Sequence, residues 1–335
     1  MRRVVLGVAL AASLLTGGCG FTGEAGSGDA ELVVYSGRNE ALVKPLLDDF
    51  AAETRLDISV RFADTTELAG TVIEEGSSPR ADVFIGQDAG ALARLDERGL
   101  LAPYAATGVP PRYRSESGTW TGLSARARVL IVNTETLPSG ERPKSVFDLV
   151  EPRWKGKVAA PDATNASWIG FVSEMRLKEG DAKTRRWLEG MKRNDLAVLG
   201  SHTDVRKAVG SGEFDVGLVN HYYVELEKRD NSPVEAIFTD QEAGGFGVVV
   251  NAASGGILKG AEHPEAAKRL MDYLLSRKAQ AEFAGRNFEY PVVPGVEAPG
   301  LRPLDEIRGT GVELAKLGPE LDSTLKLLDE VGLGE

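Results

Sequence analysis

Cys19 is the only cysteine in 335 residues. No internal disulfide can form, and neither a thiolate metal site nor a cysteine nucleophile is available in the rest of the chain. Histidine is nearly as scarce, with three copies at His202, His221 and His263. No His-Glu-x-x-His is present, and no Gly-x-Ser-x-Gly elbow. An extracellular hydrolase therefore finds little footing. Basic residues are outnumbered, 39 Lys and Arg against 50 Asp and Glu, for a net charge of −11. That balance lacks the positive footprint nucleic acid requires. The one extended apolar run, residues 4–15, is too short to span a bilayer as a folded helix. No repeat or heptad is present. Tyrosine occurs only 7 times, which makes the adjacent pair Tyr222 and Tyr223 conspicuous.

The amino terminus does carry a signal. A basic start (Arg2, Arg3), the apolar run and the small residues before Cys19 form a secretory signal peptide, residues 1–18. A cysteine directly after the small residues makes it look like a bacterial lipoprotein signal. Cleavage would leave Cys19 as the lipidated first residue, on the outer face of the cytoplasmic membrane; ordinary secretion to the periplasm is the alternative. Residues 19–30 are small, acidic and glycine-rich and read as a flexible tether.

Beyond the tether, strands and helices alternate. Strands are expected at 31–36, 56–62 and 81–86, with helices at 40–53, 67–75 and 89–98. The apolar spacing of Leu42, Val43, Leu46, Leu47 and Phe50 carries the first helix. This order implies a parallel sheet flanked by helices. The loops 37–40 and 86–88 then fall on one sheet edge. Long strands at 125–133 and 246–251 have the composition of hinge strands between two lobes. Ser145 caps a short helix, with Asp148 as its shortened capping box. Residues 161–167 form a small polar loop opening a helix at 168–178, a place where backbone N–H groups favour an anion. A mostly helical stretch is expected at 304–331. His202 and His263 read as surface residues, and Tyr35 as packing.

The stretch that organises the rest is Asn220-His221-Tyr222-Tyr223, at the end of the apolar run 216–219. Ligand sites in open α/β sheets lie beyond the carboxyl ends of strands. Two phenol oxygens there suit a small, highly charged cation, because a trivalent ion overcomes the high pKa of phenol. The competing reading places Tyr222 in the core and Tyr223 on the surface. His221 points the opposite way in an extended chain.

With these pieces placed, the chain resembles the ferric-iron-binding proteins of bacterial ABC importers, in the type II periplasmic-binding-protein fold. The resemblance runs over nearly the whole mature chain. It is carried by Val34-Tyr35-Ser36-Gly37-Arg38-Asn39-Glu40, Ala81-Asp82-Val83-Phe84, Gly122-Leu123-Ser124-Ala125-Arg126-Ala127-Arg128-Val129, Trp154-Lys155-Gly156-Lys157, Ala160-Pro161 and Asn220-His221-Tyr222-Tyr223. It implies an α/β, two-lobed fold with hinge strands, an N-lobe of 31–127 and 252–300, and a C-lobe of 128–251 and 301–335. It implies Fe3+ as the transported ligand, held by Tyr222 and Tyr223 with carbonate, phosphate or citrate as a synergistic anion. Asn220, Arg126 and Thr164, Asn165, Ala166 and Ser167 occupy the anion or second-shell region. The implied partners are a permease and its ATPase, with a monomer expected.

Three departures follow. Some members have histidine at the position of Asn39 and glutamate at that of Gln87, and others a third tyrosine within 164–167. None is present. Glu40 and Asp88 are the neighbouring carboxylates that stand in as metal ligands, while Asn39 and Gln87 are placed to hydrogen-bond an anion or metal-bound water. A second reading keeps the fold and changes the cargo to a small organic solute (phosphonate, thiamine or polyamine) or a preformed iron chelate.

Overall fold

The computed structural model describes residues 32–334; the signal peptide, Cys19 and the tether lie outside the described residues. The chain begins with β1 (Leu32–Ser36), α1 (Glu40–Thr54), β2 (Ile58–Phe62), α2 (Thr65–Glu75), β3 (Val83–Gly86) and α3 (Ala89–Glu97). β1 pairs in parallel with both β2 and β3. The alternation read from the sequence therefore produces the layered arrangement it implies. The Thr65 hydroxyl stitches the two post-strand loops together: Oγ1 donates to the Gly37 carbonyl and accepts from the Gln87 N–H, both at 3.0 Å.

β4 (Trp120–Asn133) is 14 residues long and buried throughout. The chain continues through β5 (Val158–Pro161), α4 (Ala166–Glu179), α5 (Asp181–Arg193), β6 (Ala197–Leu199), α6 (His202–Gly210), β7 (Val216–Asn220), α7 (His221–Arg229) and β8 (Val234–Ile237). It closes with β9 (Val250–Ile257), α8 (Pro264–Leu274), α9 (Arg277–Asn287), β10 (Tyr290–Pro291) and α10 (Leu321–Glu330). The strand order is β2-β1-β3-β9-β4-β7-β5-β6, with β8 and β10 also on β4. β4 serves two neighbourhoods. Its first half, through Ala127, pairs with β9 and β10, and its second half, from Arg128, pairs with β7 and β8.

Two large apolar cores follow this division. One gathers Leu32, Phe84, Leu92, Trp120 and Met271. The other gathers Leu130, Trp154, Trp168, Phe171 and Leu328. A smaller cluster joins Leu42 of α1 to Val129, Val205, Tyr222 and Tyr223. The capping box at Ser145 and Asp148 is present, opening a short 3-10 helix at Val146–Val150.

Two expectations about elements are corrected. The second long strand is not 246–251 but Val250–Ile257. Gly247 adopts φ +85°, a left-handed conformation a strand cannot continue through. The true strand, Val-Asn-Ala-Ala-Ser-Gly-Gly-Ile, is nearly without large apolar side chains, and groups packed over its faces leave little room for any. A Cβ at Gly255 would stand 3.1 Å from Leu123 and Met271. The stretch 304–331 is only partly helical. Short 3-10 turns at Leu304–Glu306 and Leu314–Glu320 flank an extended crossing near Thr310, and α10 alone is α-helical.

Candidate functional site

β4 provides the floor. Arg126 and Arg128 lie two residues apart and so point to one face. In the ladders, Arg126 is opposite Asn251 of β9 and Arg128 is opposite Asn220 of β7. Directly opposed residues share a face, which brings these four polar side chains into one row inside the protein. All four are buried.

The tyrosine pair sits at the end of that row. It lies in the first turn of α7, not in an extended segment, so the expectation that His221 opposes Tyr222 by strand alternation is corrected. Successive residues there turn by about 100°. His221 nevertheless faces elsewhere: it stacks on Tyr290 with ring centres 4.4 Å apart, and its Nδ1 accepts from the Ala127 N–H at 3.2 Å. Tyr222 and Tyr223 have ring centres 4.5 Å apart and are 2% and 5% exposed. The expectation of a surface Tyr223 fails because Leu42 and the His202 ring cover it. Asn220 is the N-cap residue of α7 without a capping side-chain bond. Its Nδ2 instead donates to the Tyr222 hydroxyl at 3.2 Å. Burial holds the Tyr223 phenol well above its ordinary value, and the adjacent Tyr222 adds to this.

Three guanidiniums couple to the pair. Arg38, in the loop after β1, donates two hydrogen bonds to Glu289, at 2.8 and 3.0 Å. Ser124 and Asn287 also donate to that carboxylate. Burial acts to lower the Arg38 guanidinium, but Glu289 and the two phenols outweigh it and leave it raised. Arg126 approaches Asp88 only at 3.5 Å, and its Nη1 has no hydrogen-bond partner among the described residues. Burial pushes the Arg126 guanidinium down and the Asp88 carboxyl up, each against the pull of the other. Arg128 donates to Ser167 O at 2.5 Å and Ser167 Oγ at 2.6 Å. Burial, then repulsion from Arg126, lowers it to about 9. Three cations thus face two carboxylates, Asp88 and Glu289, leaving a positive excess around the phenols.

Sequence reasoning missed Arg38, Arg128, His202, Asn251 and Glu289. For Arg128 a signal existed: a second charge at i+2 inside an otherwise apolar strand. For the others none was local. His202 is corrected outright, because it is 1% exposed. Burial and the two neighbouring guanidiniums keep its imidazole uncharged.

The remaining predicted residues are spread. Ser167 and Ala166 are buried at the start of α4, and Asn165 caps that helix. Thr164 is exposed and donates to Asp162. Asn39 caps α1, and both Asn39 and Glu40 are exposed. Gln87 is half-buried. Asp88 is buried, accepting from Gly90 N at 2.7 Å and Asn251 Nδ2 at 2.6 Å, so its oxygens already serve the fold. Among the described residues no group of three or more His, Cys, Asp or Glu is placed to hold a metal. The site therefore offers phenols and amides, guanidiniums for an anion, and two carboxylates already engaged by the protein. Such a set suits a hard, highly charged metal only if an anion accompanies it, because two phenolates leave a ferric ion charged and coordinatively incomplete. Cavities of about 470 and 620 Å3 run along residues 110–116 and 290–315, and neither is lined by the pair.

Comparison with known proteins gives a consistent result. The profile of the bacterial extracellular solute-binding proteins matches residues 78–306. A Fe(3+)-binding periplasmic protein of Serratia marcescens is 32% identical over 93% of this chain and 94% of its own. The crystal structure of iron-bound HitA from Pseudomonas aeruginosa superposes with a TM-score of 0.84 at 28% identity, covering 90% of this chain and 99% of the other. A Trichodesmium protein (IdiA, FutA) in complex with iron and citrate ligands gives a TM-score of 0.75 at 30% identity, again over 90% and 99%. The fold is accordingly the two-lobed α/β fold of periplasmic binding proteins.

Proposed function

This chain belongs to the bacterial extracellular solute-binding proteins, a family of binders and not of enzymes, and from that premise we propose that it captures ferric iron through Tyr222 and Tyr223 and delivers it to the permease of an ABC importer. The observation that carries this reading is the juxtaposition of the two buried phenols, 4.5 Å apart, with three guanidiniums coupled to them. Two phenolates reduce the charge of Fe3+ to one. An anion such as carbonate, phosphate or citrate supplies the missing oxygens. The unpartnered Nη1 of buried Arg126 is its natural partner, since an unsatisfied buried cationic donor is costly. Asn220, Ser167, Asn165 and the N-terminus of α4 complete that anion side. Glu40 and Asp88 are the proposed carboxylate ligands of the first lobe, and Asn39, Gln87 and the segment 164–166 the proposed partners of the anion or of metal-bound water.

The two lobes of the proposal are 31–127 with 252–300, and 128–251 with 301–335. The separate apolar cores support most of this division, but Ile307, Leu314 and Leu317 pack in the first core, so that only the end of 301–335, with Leu327, Leu328 and Val331, joins the second. β4 is one crossing, and the segment leading into β9, with Phe246 and Val249 still in the second core, is the other. Lipidation at Cys19 tethers the protein to the outer face of the membrane.

A preformed ferric chelate is the second reading, favoured by the positive excess and by the Trichodesmium relative holding iron and citrate. The same excess argues against a polyamine, whose charges meet three buried guanidiniums.

Purified protein given ferric salt with bicarbonate, phosphate or citrate is expected to develop a visible tyrosinate-to-iron absorption band. Tyr222→Phe with Tyr223→Phe abolishes it. A colourless protein that retains no iron removes the reading.

A further inference from the structure

Arg128 differs from the other two guanidiniums at the site. It is 4% exposed, yet no carboxylate lies within ion-pair distance of it among the described residues. Its acceptors are all neutral: Ser167 O and Oγ, the Leu218 carbonyl at 3.3 Å and His202 Nε2 at 3.4 Å. Guanidinium only donates, so in this contact Nε2 is the acceptor; that places the imidazole proton on Nδ1, which has no hydrogen-bond partner among the described residues. His202 is the first residue of α6, fixed there by the Ser201 cap. Its ring lies 5.1 Å from that of Tyr223, tilted by 33°. The same Nε2 is 3.3 Å from Ser167 Oγ, which is itself 3.3 Å from Asn220 Oδ1. Three groups of the site thus meet on one imidazole.

We propose that His202 is a positioning residue, a neutral acceptor that orients Arg128 toward the anion accompanying the metal while leaving its positive charge uncompensated. The physical requirement is specific. An aspartate or glutamate at this position would hold Arg128 as firmly, but the ion pair would cancel the charge that the anion needs. An apolar residue would keep the charge but remove one of the two contacts on Nη1, leaving the guanidinium held on its Ser167 side alone, apart from the Leu218 carbonyl. Only an uncharged acceptor does both. The inference rests on the iron-and-anion reading above.

The test compares His202→Gln, His202→Glu and His202→Phe with the unsubstituted protein. The midpoint of the tyrosinate-to-iron band is titrated with bicarbonate and, separately, with citrate. His202→Glu is expected to weaken anion dependence by roughly tenfold or more, about the strength of one charge-assisted bond. His202→Phe is expected to weaken it less and to shift the band through Tyr223. His202→Gln, which keeps a neutral oxygen acceptor, recovers most of the anion affinity. Equal anion midpoints for His202→Glu and the unsubstituted protein overturn the proposal, as does a loss in His202→Gln as large as in His202→Glu. If His202→Glu does not fold, the remaining pair decides it, and equal midpoints for His202→Gln and His202→Phe overturn it. Absence of any band in the unsubstituted protein removes the iron reading instead.

Discussion

Gly170, in the second turn of α4, touches Asp88, the N-cap residue of α3: a Cβ built on the glycine would stand 2.5 Å from the Asp88 Oδ2. The carboxylate cannot swing away freely, because Gly90 N and Asn251 Nδ2 hold it. In the two-lobe reading this contact crosses the cleft, and glycine is what lets the lobes meet.

Gly170→Ala is therefore expected to separate binding from folding. Alanine favours a helix over glycine by about 1 kcal/mol, so, provided the iron-free lobes part and open this contact, the iron-free protein should melt at the same temperature or slightly higher. Iron retention should fall by roughly tenfold or more, the equivalent of about 1.4 kcal/mol lost on closure. Calorimetry of the apo protein and competition with a chelator give the two readouts. Unchanged iron affinity would show that this contact does not limit closure.

Glu174 of α4 is fully buried. One oxygen accepts from the Thr310 hydroxyl at 2.6 Å and the other has no hydrogen-bond partner among the described residues. Burial raises its carboxyl from 4.5 to about 8. Between those values the folded protein keeps a proton that the unfolded chain has released. Stability from this group is therefore present at low pH, declines as pH rises from about 4.5 to about 8, and is level above, with a total on the order of a few kcal/mol. Glu174→Gln should remove that slope, matching the parent at pH 5 and exceeding it at pH 9 in denaturant unfolding. Parallel pH profiles for the two proteins would count against it.

If the phenols take up iron as proposed, binding must expel their protons. Tyr223 is protonated far above neutral pH, so the metal and not the solvent removes its proton. Loading from a ferric chelate whose own proton balance is known should release about two protons per iron, and affinity should rise with pH. Potentiometric titration measures the count. Loading with no proton release would mean that neither phenol binds as phenolate.

Much of the fold was legible locally. The elements from 32 to 97 follow apolar periodicity, and the Ser145 cap follows a short motif. β9 was not legible, because Gly255 and Gly256, where Leu101, Leu123 and Met271 of α8 close over the strand, carry no periodic signal. The tyrosine pair was legible as a motif, but its setting was not. Arg38 meets Glu289 across 251 positions, and His202 is buried only because α6 packs against β7 and α7. Long-range packing of this kind leaves no mark in a window of neighbouring residues. A histidine next to a helix cap looks the same whether it ends in water or against a guanidinium.

β4 has a consequence for how the protein comes apart. One half of the strand closes the sheet of the first core, and the other half closes the sheet of the second. If either core melts, it frays the central ribbon on which the other is hung, so neither lobe keeps an intact sheet alone. Cooperativity between lobes is in this way built into a single uninterrupted backbone segment, independently of whatever occupies the cleft.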